Sequence, residues 1–234
     1  MKDIIIVRHI AYEGPGYFSE FLDRQGLGWR LVRVDAGEPI PDSVAGFAGL
    51  VLMGGLMSVN DPLPWIEHEL NLVKKALEAD IPVLGHCLGG QMIAKSLGAE
   101  ITPNRVKEFG WHWIRCNHAT DNDGWLSGLP DEFDAFHWHG ETFSVPNGAN
   151  LLFSNQWCAH QGFSYGKSLA LQCHVEMTED LIQEWVARAK PGELNGKPSS
   201  PTGEMILQQS PGKLPEMQKH ADVLYSRWLQ GLNA

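Results

Sequence analysis

Residues 81–91 of the chain, Ile-Pro-Val-Leu-Gly-His-Cys-Leu-Gly-Gly-Gln, place Cys87 at a sharp turn. The apolar first half predicts a buried strand, and residues 91–97 predict a helix that ends at Gly98. Glycines two positions before and after Cys87 allow the unusual backbone angles of a strand-to-helix turn, and they leave room for a projecting nucleophile. A helix N-terminus also favours the thiolate form of a cysteine. Burial as a structural residue is the alternative for any cysteine, but the flanking glycines favour a nucleophile.

The composition excludes several classes of partner. The 234 residues carry a formal net charge of -10 and no basic cluster, which excludes nucleic acid and anionic membrane surfaces as partners. No segment reaches the roughly 18 consecutive apolar residues of a membrane span. Residues 1–7 predict a first strand rather than a signal peptide. The four cysteines form no Cys-x-x-Cys pair, so we expect a cytoplasmic protein with reduced thiols.

Strands and helices alternate through the first hundred residues, which predicts a parallel sheet with helices on both faces. The predicted strands cover residues 3–9, 29–34, 49–53 and the segment before Cys87, and the predicted helices cover residues 15–25 and 64–79. Short aromatic-rich segments at residues 110–116, 133–139 and 150–153 then predict a mixed or antiparallel extension. A buried strand is expected over residues 168–174, and Thr178 is expected to cap a helix that runs to about residue 189.

The C-terminal part of the chain combines a predicted loop with a predicted helix. Residues 191–212 are rich in Pro, Gly and Ser, which favours an irregular loop. The helix that follows carries its apolar face on Leu214, Met217, Ala221, Leu224 and Trp228. We expect one α/β domain over residues 1–190, with the loop and helix of residues 191–234 docked on it.

His174 is the strongest candidate among the ten histidines for the base that a cysteine nucleophile needs. Like Cys87 it ends a predicted strand, and functional groups of parallel α/β sheets collect at the carboxyl ends of the strands. Glu176 lies two residues further on, so in extended chain it points the same way and can orient the imidazole. A surface pair is the usual explanation of an isolated His-x-Glu, but the turn at Cys87 favours a catalytic pairing.

Residues 50–55 supply a third element, a strand that runs into Gly54 and Gly55 at the same edge of the sheet. Backbone N–H groups in such a loop suit the tetrahedral oxyanion of an acyl-transfer reaction. We expect the donors to be the N–H of Gly55 and the N–H of Leu88, directly after the nucleophile. Alone, a Gly-Gly pair is more often a plain turn.

In order and spacing, these motifs resemble the class I (triad-type) glutamine amidotransferase family, and most closely the stand-alone proteins similar to the glutaminase domain of GMP synthase. The resemblance covers the chain from the first strand to about residue 184. It is carried by residues 51–55, 85–91, 109–111, 137–143 (His-Trp-His-Gly-Glu-Thr-Phe) and 171–176 (Leu-Gln-Cys-His-Val-Glu).

The resemblance implies a fold, a triad and a reaction. The fold is the flavodoxin-like open sheet, mainly parallel and twisted, with helices on both faces, a small antiparallel extension and a C-terminal helix. The triad is Cys87, His174 and Glu176, which hydrolyse the γ-amide of glutamine or a γ-glutamyl compound through a γ-glutamyl thioester, without a metal or organic cofactor. The implied substrate contacts are Gly54, Gln91, His139, Gly140 and Glu141.

Three positions depart from the family pattern. Val175 stands where a proline usually separates the histidine from the glutamate, and Leu56 stands where a proline often follows the Gly-Gly pair. His86 replaces the aliphatic residue that usually precedes the nucleophile. None of the three removes a catalytic group, but His86 adds a second imidazole near the thiol, which bears on pH dependence or specificity.

A zinc site is the competing interpretation of the histidine-rich segment. His137 and His139 share one face of a predicted strand, and His112 and His118 are further candidate ligands. Trp138 and the aromatic residues around it favour a pocket wall instead. We therefore expect His137 and His139 to be half-buried and hydrogen-bonded.

The acceptor of the released nitrogen stays open at the level of sequence. No glycine-rich phosphate loop is visible, so a synthetase activity would need a partner, either a synthetase or another acceptor subunit. A glutaminase subunit, a self-contained glutamine hydrolase and a γ-glutamyl peptidase acting on glutathione-type compounds all fit. A catalytically idle binding or regulatory module is the alternative from a different class.

Overall fold

The computed structural model describes residues 3–232. Met1, Lys2, Asn233 and Ala234, which the expected domain bounds include, lie outside the described residues. The strands are β1 (Asp3–Arg8), β2 (Trp29–Arg33), β3 (Phe47–Leu52), β4 (Val83–His86), β5 (Ile101–Cys116), β6 (Glu132–Phe143), β7 (Asn150–Ser154), β8 (Gly162–Tyr165) and β9 (Ser168–Leu171). The α-helices are α1 (Gly16–Arg24), α2 (Pro64–Glu78), α3 (Leu88–Ser96), α4 (Glu179–Arg188) and α5 (Gly203–Leu232).

The strands form one sheet in the order β2-β1-β3-β4-β9-β8-β7-β5-β6, and its first five strands are parallel. Because both faces of a parallel sheet are covered, these strands are nearly continuous apolar runs. In β1, Ile4 and Ile6 enter a core with α1, α4 and α5, whereas Ile5 and Val7 enter a second core with α2 and α3. The predicted mainly parallel α/β fold with helices on both faces is confirmed.

The remaining strands, β8, β7, β5 and β6, continue the sheet in antiparallel pairing, as the prediction of an extension requires. β5 is longer than the predicted strand over residues 110–116, and β8 was not predicted as an element. The first half of β5 is polar and contains Pro103, so its sequence lacks the alternation of a strand. It is a strand because it pairs with β6, across a bulge between Pro103 and Glu108.

The predicted loop over residues 191–212 is wrong from Gly203 onward, because α5 begins there and includes Pro211 and Pro215. Proline removes a helical hydrogen bond and usually ends a helix. Here tertiary contacts outweigh that loss: Ile206 is fully buried, and Trp111 Nε1 donates to Ser210 Oγ at 3.0 Å. Within residues 3–232, neither this 30-residue helix nor any other is long and apolar enough to span a membrane.

The second half of α5 packs its apolar face on the sheet. Met217, Ala221, Leu224 and Trp228 are buried as predicted, and Leu214 packs at the margin of the same core. Trp228 meets the ring of Phe18 edge-on at 5.8 Å, and a Cβ added to Gly49 would lie 2.7 Å from the Trp228 ring. The helix is therefore seated in the core that contains α1 and α4.

Replacing Trp228 with alanine is expected to lower the free energy of unfolding by about 3–5 kcal/mol, because the cavity left beside Phe18 and Gly49 cannot close. Urea denaturation followed by far-UV circular dichroism measures this loss. Leu207→Ala on the same helix is the control, because Leu207 is 39% exposed, and its cost is expected to be small. Equal small losses in the two variants would contradict this packing.

Candidate active site

Cys87 occupies the turn between β4 and α3, with φ 50° and ψ −105°. Its N–H donates to the Leu171 carbonyl at 2.8 Å, and its own carbonyl accepts from the Gln91 N–H at 3.0 Å. The unusual angles belong to the cysteine itself, whereas its flanking glycines supply room. A Cβ at Gly85 would lie 2.5 Å from Gly90 N, and one at Gly89 would lie 2.6 Å from the Leu52 Cβ.

His174 and Glu176 lie beyond the carboxyl end of β9, which ends at Leu171 rather than at His174 as predicted. The backbone N–H of His174 donates to the Phe136 carbonyl at 2.8 Å, so β6 holds this segment in place. His174 Nδ1 donates to Glu176 Oε1 at 2.6 Å. Both side chains are buried, so this hydrogen bond fixes the imidazole and leaves Nε2 for another partner.

Electrostatics favour an imidazolium at His174. Burial alone lowers the pKa of His174, but the charge of Glu176 and the interaction with the Cys87 thiol raise it well above the usual histidine value. Burial raises the pKa of Glu176, but the neighbouring His86 and His174 bring it below the usual carboxyl value. The pair therefore carries opposite charges beside the Cys87 sulfur, which is the arrangement that an activated cysteine requires.

The Gly-Gly loop after β3 lies directly against these groups. A Cβ on Gly54 would lie 3.0 Å from His174 Cε1 and 3.8 Å from the Cys87 Cβ. A Cβ on Gly55 would lie 2.7 Å from a methyl carbon of Leu88. Leu88 is the first residue of α3, so its N–H has no partner within the helix. The structure thus brings the two expected oxyanion donors to the same point.

A cavity of about 290 Å³ opens at the Cys87 sulfur. Five other predicted site residues line it: Gly55, Gln91, His139, Gly140 and Glu141. Gly54, Leu88, His174 and Glu176 adjoin Cys87 without lining the cavity. Sequence reasoning missed its charged rim, which is formed by Lys107 on β5 and by Lys190 and Glu193 after α4.

Comparison with known proteins agrees with this geometry. A family model described as glutamine amidotransferase class-I matches residues 21–189. The chain belongs to this family. A glutamine amidotransferase-like protein of Salmonella typhimurium, YfeJ, is 28% identical over 183 residues, which cover 76% of this chain and 77% of the relative. A separately encoded subunit of the glutamine-hydrolysing GMP synthase of Thermoplasma acidophilum is 32% identical over 162 residues, which cover 64% of this chain and 76% of that relative.

A solved structure resembles this amidotransferase over its whole length. The crystal structure of a glutamine amidotransferase from Methylobacillus flagellatus superposes with a TM-score of 0.94 at 35% identity, and it covers 99% of this chain and 95% of that chain. The fold is therefore that of class I amidotransferases. Among the curated relatives are full-length GMP synthases, and the chain spans less than a third of their length.

His9 is a residue of this amidotransferase that sequence reasoning missed, and it holds the Gly-Gly loop. His9 Nδ1 donates to the Gly54 carbonyl at 3.0 Å, and Nε2 donates to the Glu69 carboxylate at 2.9 Å. In a trans peptide the N–H points away from the carbonyl, so this bond aims the Gly55 N–H in the opposite direction. Burial lowers the pKa of His9, but Glu69 more than offsets that effect. Because Glu69 lies on the apolar stripe of α2, its placement was a signal that the sequence contained.

Glu13, in the segment after β1, is a second missed residue. Its carboxyl lies beside the Gly54 backbone and near the His174 ring, since a Cβ on Gly54 would be 2.7 Å from Glu13 Oε2 and 3.0 Å from His174 Cε1. Burial raises the pKa of Glu13 to about 7, His174 partly offsets that rise, and the charge of Glu176 adds to it. The amidotransferase therefore has a second acidic group beside its histidine, which titrates near neutral pH.

Gln172, the third missed residue, links Gln91 to the nucleophile. The Gln91 side-chain amide donates to Gln172 Oε1 at 3.2 Å, and the Gln172 amide lies 3.6 Å from Cys87 Sγ. Because the Gln91 donor is engaged, its carbonyl oxygen is the atom it offers to the cavity. Gln172 stands two residues before His174, so its strand position already placed it on the same face.

The three departures from the family pattern lie in different surroundings. Leu56 is 55% exposed at the rim of the cavity, and Val175 is fully buried. His86 faces the side of the triad away from the cavity rim: its Nε2 lies 3.6 Å from Glu176 Oε2 and 3.3 Å from the Tyr225 hydroxyl on α5. Burial lowers the pKa of His86, so it is a neutral imidazole that packs against the carboxylate.

The histidine-rich strand is more deeply buried than expected. His137 and His139 on β6 face Glu108 on β5, and all three are buried. His139 Nδ1 donates to the Glu141 carbonyl at 3.0 Å as predicted, but His137 has no hydrogen-bond partner within residues 3–232. His112 instead gives Nε2 to the carbonyls of Phe109 and Ser199, and His118 pairs with Asp131 at 3.6 Å. The side chains of Glu108, His137 and His139 are spaced closely enough to hold a metal ion.

Glu13→Gln is expected to flatten the dependence of stability on pH. A carboxyl whose folded pKa is raised contributes stability that is complete below its unfolded value of about 4.5 and is lost as the pH rises through about 7. Up to about 3 kcal/mol is at stake between pH 5 and 8, and glutamine, which resembles the protonated acid, does not lose it.

Urea denaturation at intervals from pH 5 to 8 tests this prediction through the slope of unfolding free energy against pH. Glu20→Gln is the matched control, because Glu20 is exposed on α1 and its substitution is expected to leave the slope unchanged. The same slope in wild type and Glu13→Gln would show that the carboxyl is charged throughout this range.

Proposed function

We propose that this chain is a glutamine amidotransferase-like amidohydrolase in which Cys87 attacks the γ-amide carbonyl of glutamine or of a γ-glutamyl compound. The observation that carries the proposal is the buried His174–Glu176 hydrogen bond of 2.6 Å beside a cysteine with a φ of 50°. A purely structural cysteine has no need of strained backbone or of an oriented histidine. The family supports the glutamine chemistry, and the cavity at the sulfur supports a small substrate.

In the first half-reaction the Cys87 thiolate attacks the γ-carbonyl carbon, and the carbonyl oxygen becomes an oxyanion. The N–H groups of Gly55 and Leu88 stabilise that charge, because they are fixed before the reaction begins. The His174 imidazolium then donates its proton to the departing nitrogen, and the carbon–nitrogen bond breaks. Ammonia or an amine leaves, and a γ-glutamyl thioester stays on Cys87.

In the second half-reaction the now neutral His174 takes a proton from water, and the resulting hydroxide attacks the thioester. The carbon–sulfur bond breaks, glutamate leaves, and Cys87 returns to its thiolate beside the His174 imidazolium. Glu176 keeps its negative charge throughout, orients Nδ1 and stabilises the imidazolium. The cycle consumes one water and needs no metal or organic cofactor.

At the substrate end, the Gln91 carbonyl oxygen and the backbone around Gly140 and Glu141 are the proposed contacts of the α-amino acid group. Ser58 Oγ donates to Glu141 Oε1 at 3.1 Å, which holds that wall of the cavity against the loop after β3. His139 supports the same wall, because its Nδ1 donates to the Glu141 carbonyl. These contacts would position the γ-amide at the Cys87 sulfur.

A γ-glutamyl peptidase is a second candidate, and an adjoining cavity favours it. A space of about 590 Å³ shares Lys107, Phe109, Lys190 and Glu193 with the cavity at Cys87 and continues to Lys197. It offers room for a leaving group larger than ammonia, and lysines suit a leaving group that ends in a carboxylate. The other case is an ammonia-producing component of a larger enzyme, which the name of the Thermoplasma relative indicates for that protein. In that case an acceptor subunit would be the partner.

The decisive experiment is a panel of substrates with glutamate release as the common measurement. The panel contains glutamine, glutathione, γ-glutamyl dipeptides and a γ-glutamyl anilide. Cys87→Ala is expected to lower release by at least about 10³-fold with the fold intact, because no other group supplies the nucleophile. Cys116→Ala, a buried cysteine away from the cavity, is the matched control and is expected to keep its activity.

The outcomes separate the alternatives. Preference for glutathione or dipeptides over glutamine supports the peptidase, and preference for glutamine supports the hydrolase. No release from any substrate, together with selective alkylation of Cys87 by iodoacetamide, supports a subunit that needs its partner. Unchanged release in Cys87→Ala, or a Cys87 that is inert to alkylation, contradicts the proposed mechanism and favours an idle binding module.

His9→Ala is expected to lower kcat by about 10²-fold with a much smaller change in KM. Loss of the bond to the Gly54 carbonyl frees the peptide that carries the Gly55 N–H, and removal of one oxyanion donor costs about 10²–10³ in kcat. Steady-state kinetics with the best substrate of the panel measures the change.

His68→Ala is the control for this prediction, because His68 is exposed on α2 one residue before Glu69. Its kcat is expected to match wild type. If His9→Ala raises KM and leaves kcat unchanged, His9 does not position the oxyanion loop and acts on substrate binding instead.

A further inference from the structure

A cluster of three buried side chains on β5 and β6 lies outside the proposed reaction. The register pairs Glu108 with His139, and His137 lies two residues before His139 on the same face. Glu108 Oε2 lies 3.1 Å from His139 Nε2, and Glu108 Oε1 lies 3.9 Å from His137 Nδ1. The side chains of Glu108 and His137 are fully buried and that of His139 is 1% exposed.

The facing atoms in this cluster require a cation between them. The Glu141 carbonyl can only accept, so His139 Nδ1 carries the hydrogen that bonds to it. In a neutral imidazole Nε2 is then a lone pair, and at 3.1 Å it would face the lone pairs of a carboxylate oxygen. That contact is repulsive unless a proton or a metal ion is present. A proton on His139 would still leave both nitrogens of His137 without a hydrogen-bond partner in the described part of the chain.

The surroundings hold the carboxylate without neutralising it. Asn155 Nδ2 donates to Glu108 Oε1 at 2.6 Å, and Gln161 Nε2 donates to Glu108 Oε2 at 2.8 Å. Both donors are uncharged amides. Within residues 3–232 the ion pairs of Glu108 are with His137 and His139 alone. Hydrogen bonds that orient the carboxylate and a carbonyl that accepts from the second ring nitrogen are typical of the outer shell of a metal site.

We propose that Glu108, His137 and His139 bind one divalent transition-metal ion, for which Zn²⁺ is the best match. Two imidazole nitrogens and one carboxylate oxygen are a common zinc ligand set, and imidazole selects zinc and its neighbours over magnesium or calcium. The ion would satisfy His139 Nε2 and His137 Nδ1 together, which a single proton cannot do. This inference is independent of the proposed reaction, because the ion takes no part in it.

The position of the cluster indicates a structural role. Trp138 lies between the two histidines in the chain, and its carbonyl faces the Cys87 sulfur at 4.0 Å. A metal ion bound by β5 and β6 would therefore hold the wall of the cavity at a fixed distance from Cys87. Its removal is expected to reduce stability first and activity only through that wall.

The test is the metal content of the full chain, expressed without a histidine tag and purified without added metal. Inductively coupled plasma mass spectrometry is expected to find roughly one zinc per chain. Treatment with dipicolinate should remove it, and returning zinc in excess should raise Tm by about 5–10 °C. Cobalt in place of zinc should give the visible absorption of a four-coordinate site.

Variants assign the ion to this cluster. Glu108→Gln and His137→Gln are expected to lose the metal and the cobalt absorption, whereas His160→Gln should keep both, because His160 Nδ1 donates to the Phe143 carbonyl outside the cluster. If the two cluster variants fail to fold, chelation and reconstitution of the wild type decide. Background metal content and an unchanged Tm on adding zinc would overturn the proposal in favour of an imidazolium–carboxylate pair. Metal retained in Glu108→Gln and His137→Gln would place the ion elsewhere and overturn it too.

Discussion

The backbone of Cys87 is the constraint on which the rest of the site depends. A non-glycine residue with a φ of 50° costs of order 1–3 kcal/mol, and it persists only where its surroundings leave no other choice. Here the Leu171 carbonyl and the Gln91 N–H hold the two sides of the residue. Close packing at Gly85 and Gly89 prevents β3, β4 and α3 from moving apart. The sulfur is thereby presented at the sheet edge where Gly54, Leu88 and His174 also meet.

Around this turn the fold places several buried histidine–carboxylate pairs. His174–Glu176, His9–Glu69 and His139–Glu108 each oppose an imidazole to a carboxylate away from solvent. Breaking one partner of such a pair leaves an uncompensated buried charge, which is costly. The arrangement therefore favours geometry over stability, since each pair fixes one backbone or side-chain orientation near the cavity. Glu13 is the exception, because burial outweighs the influence of the nearby histidines and drives its carboxyl towards the neutral form.

Local motifs and sheet topology made most of the fold and the candidate site predictable. The glycines around Cys87 and the rule that strand ends share an edge were enough to select Cys87, His174, Glu176 and the Gly-Gly loop. His9 and Glu13 were not selected, since a single polar residue in a loop resembles a surface residue until its distant partner is known; His9 bonds to Gly54 and Glu69, 45 and 60 positions away. The start of α5 was missed for the same reason, because its prolines indicate a loop and only Ile206 and Ser210, packed against β5, make it a helix.

The hydroxyl of Tyr225 is within hydrogen-bond distance of His86, and His86 in turn lies against the Glu176 carboxylate. The group that orients the histidine is thus supported from beneath by a helix that the ribosome adds almost fifty residues later. A nascent chain that already contains the cysteine, the histidine and the glutamate still lacks the floor of its own site. Completion of the site is consequently one of the last events of synthesis and folding, and a free, reactive thiolate is not exposed before the protein is closed.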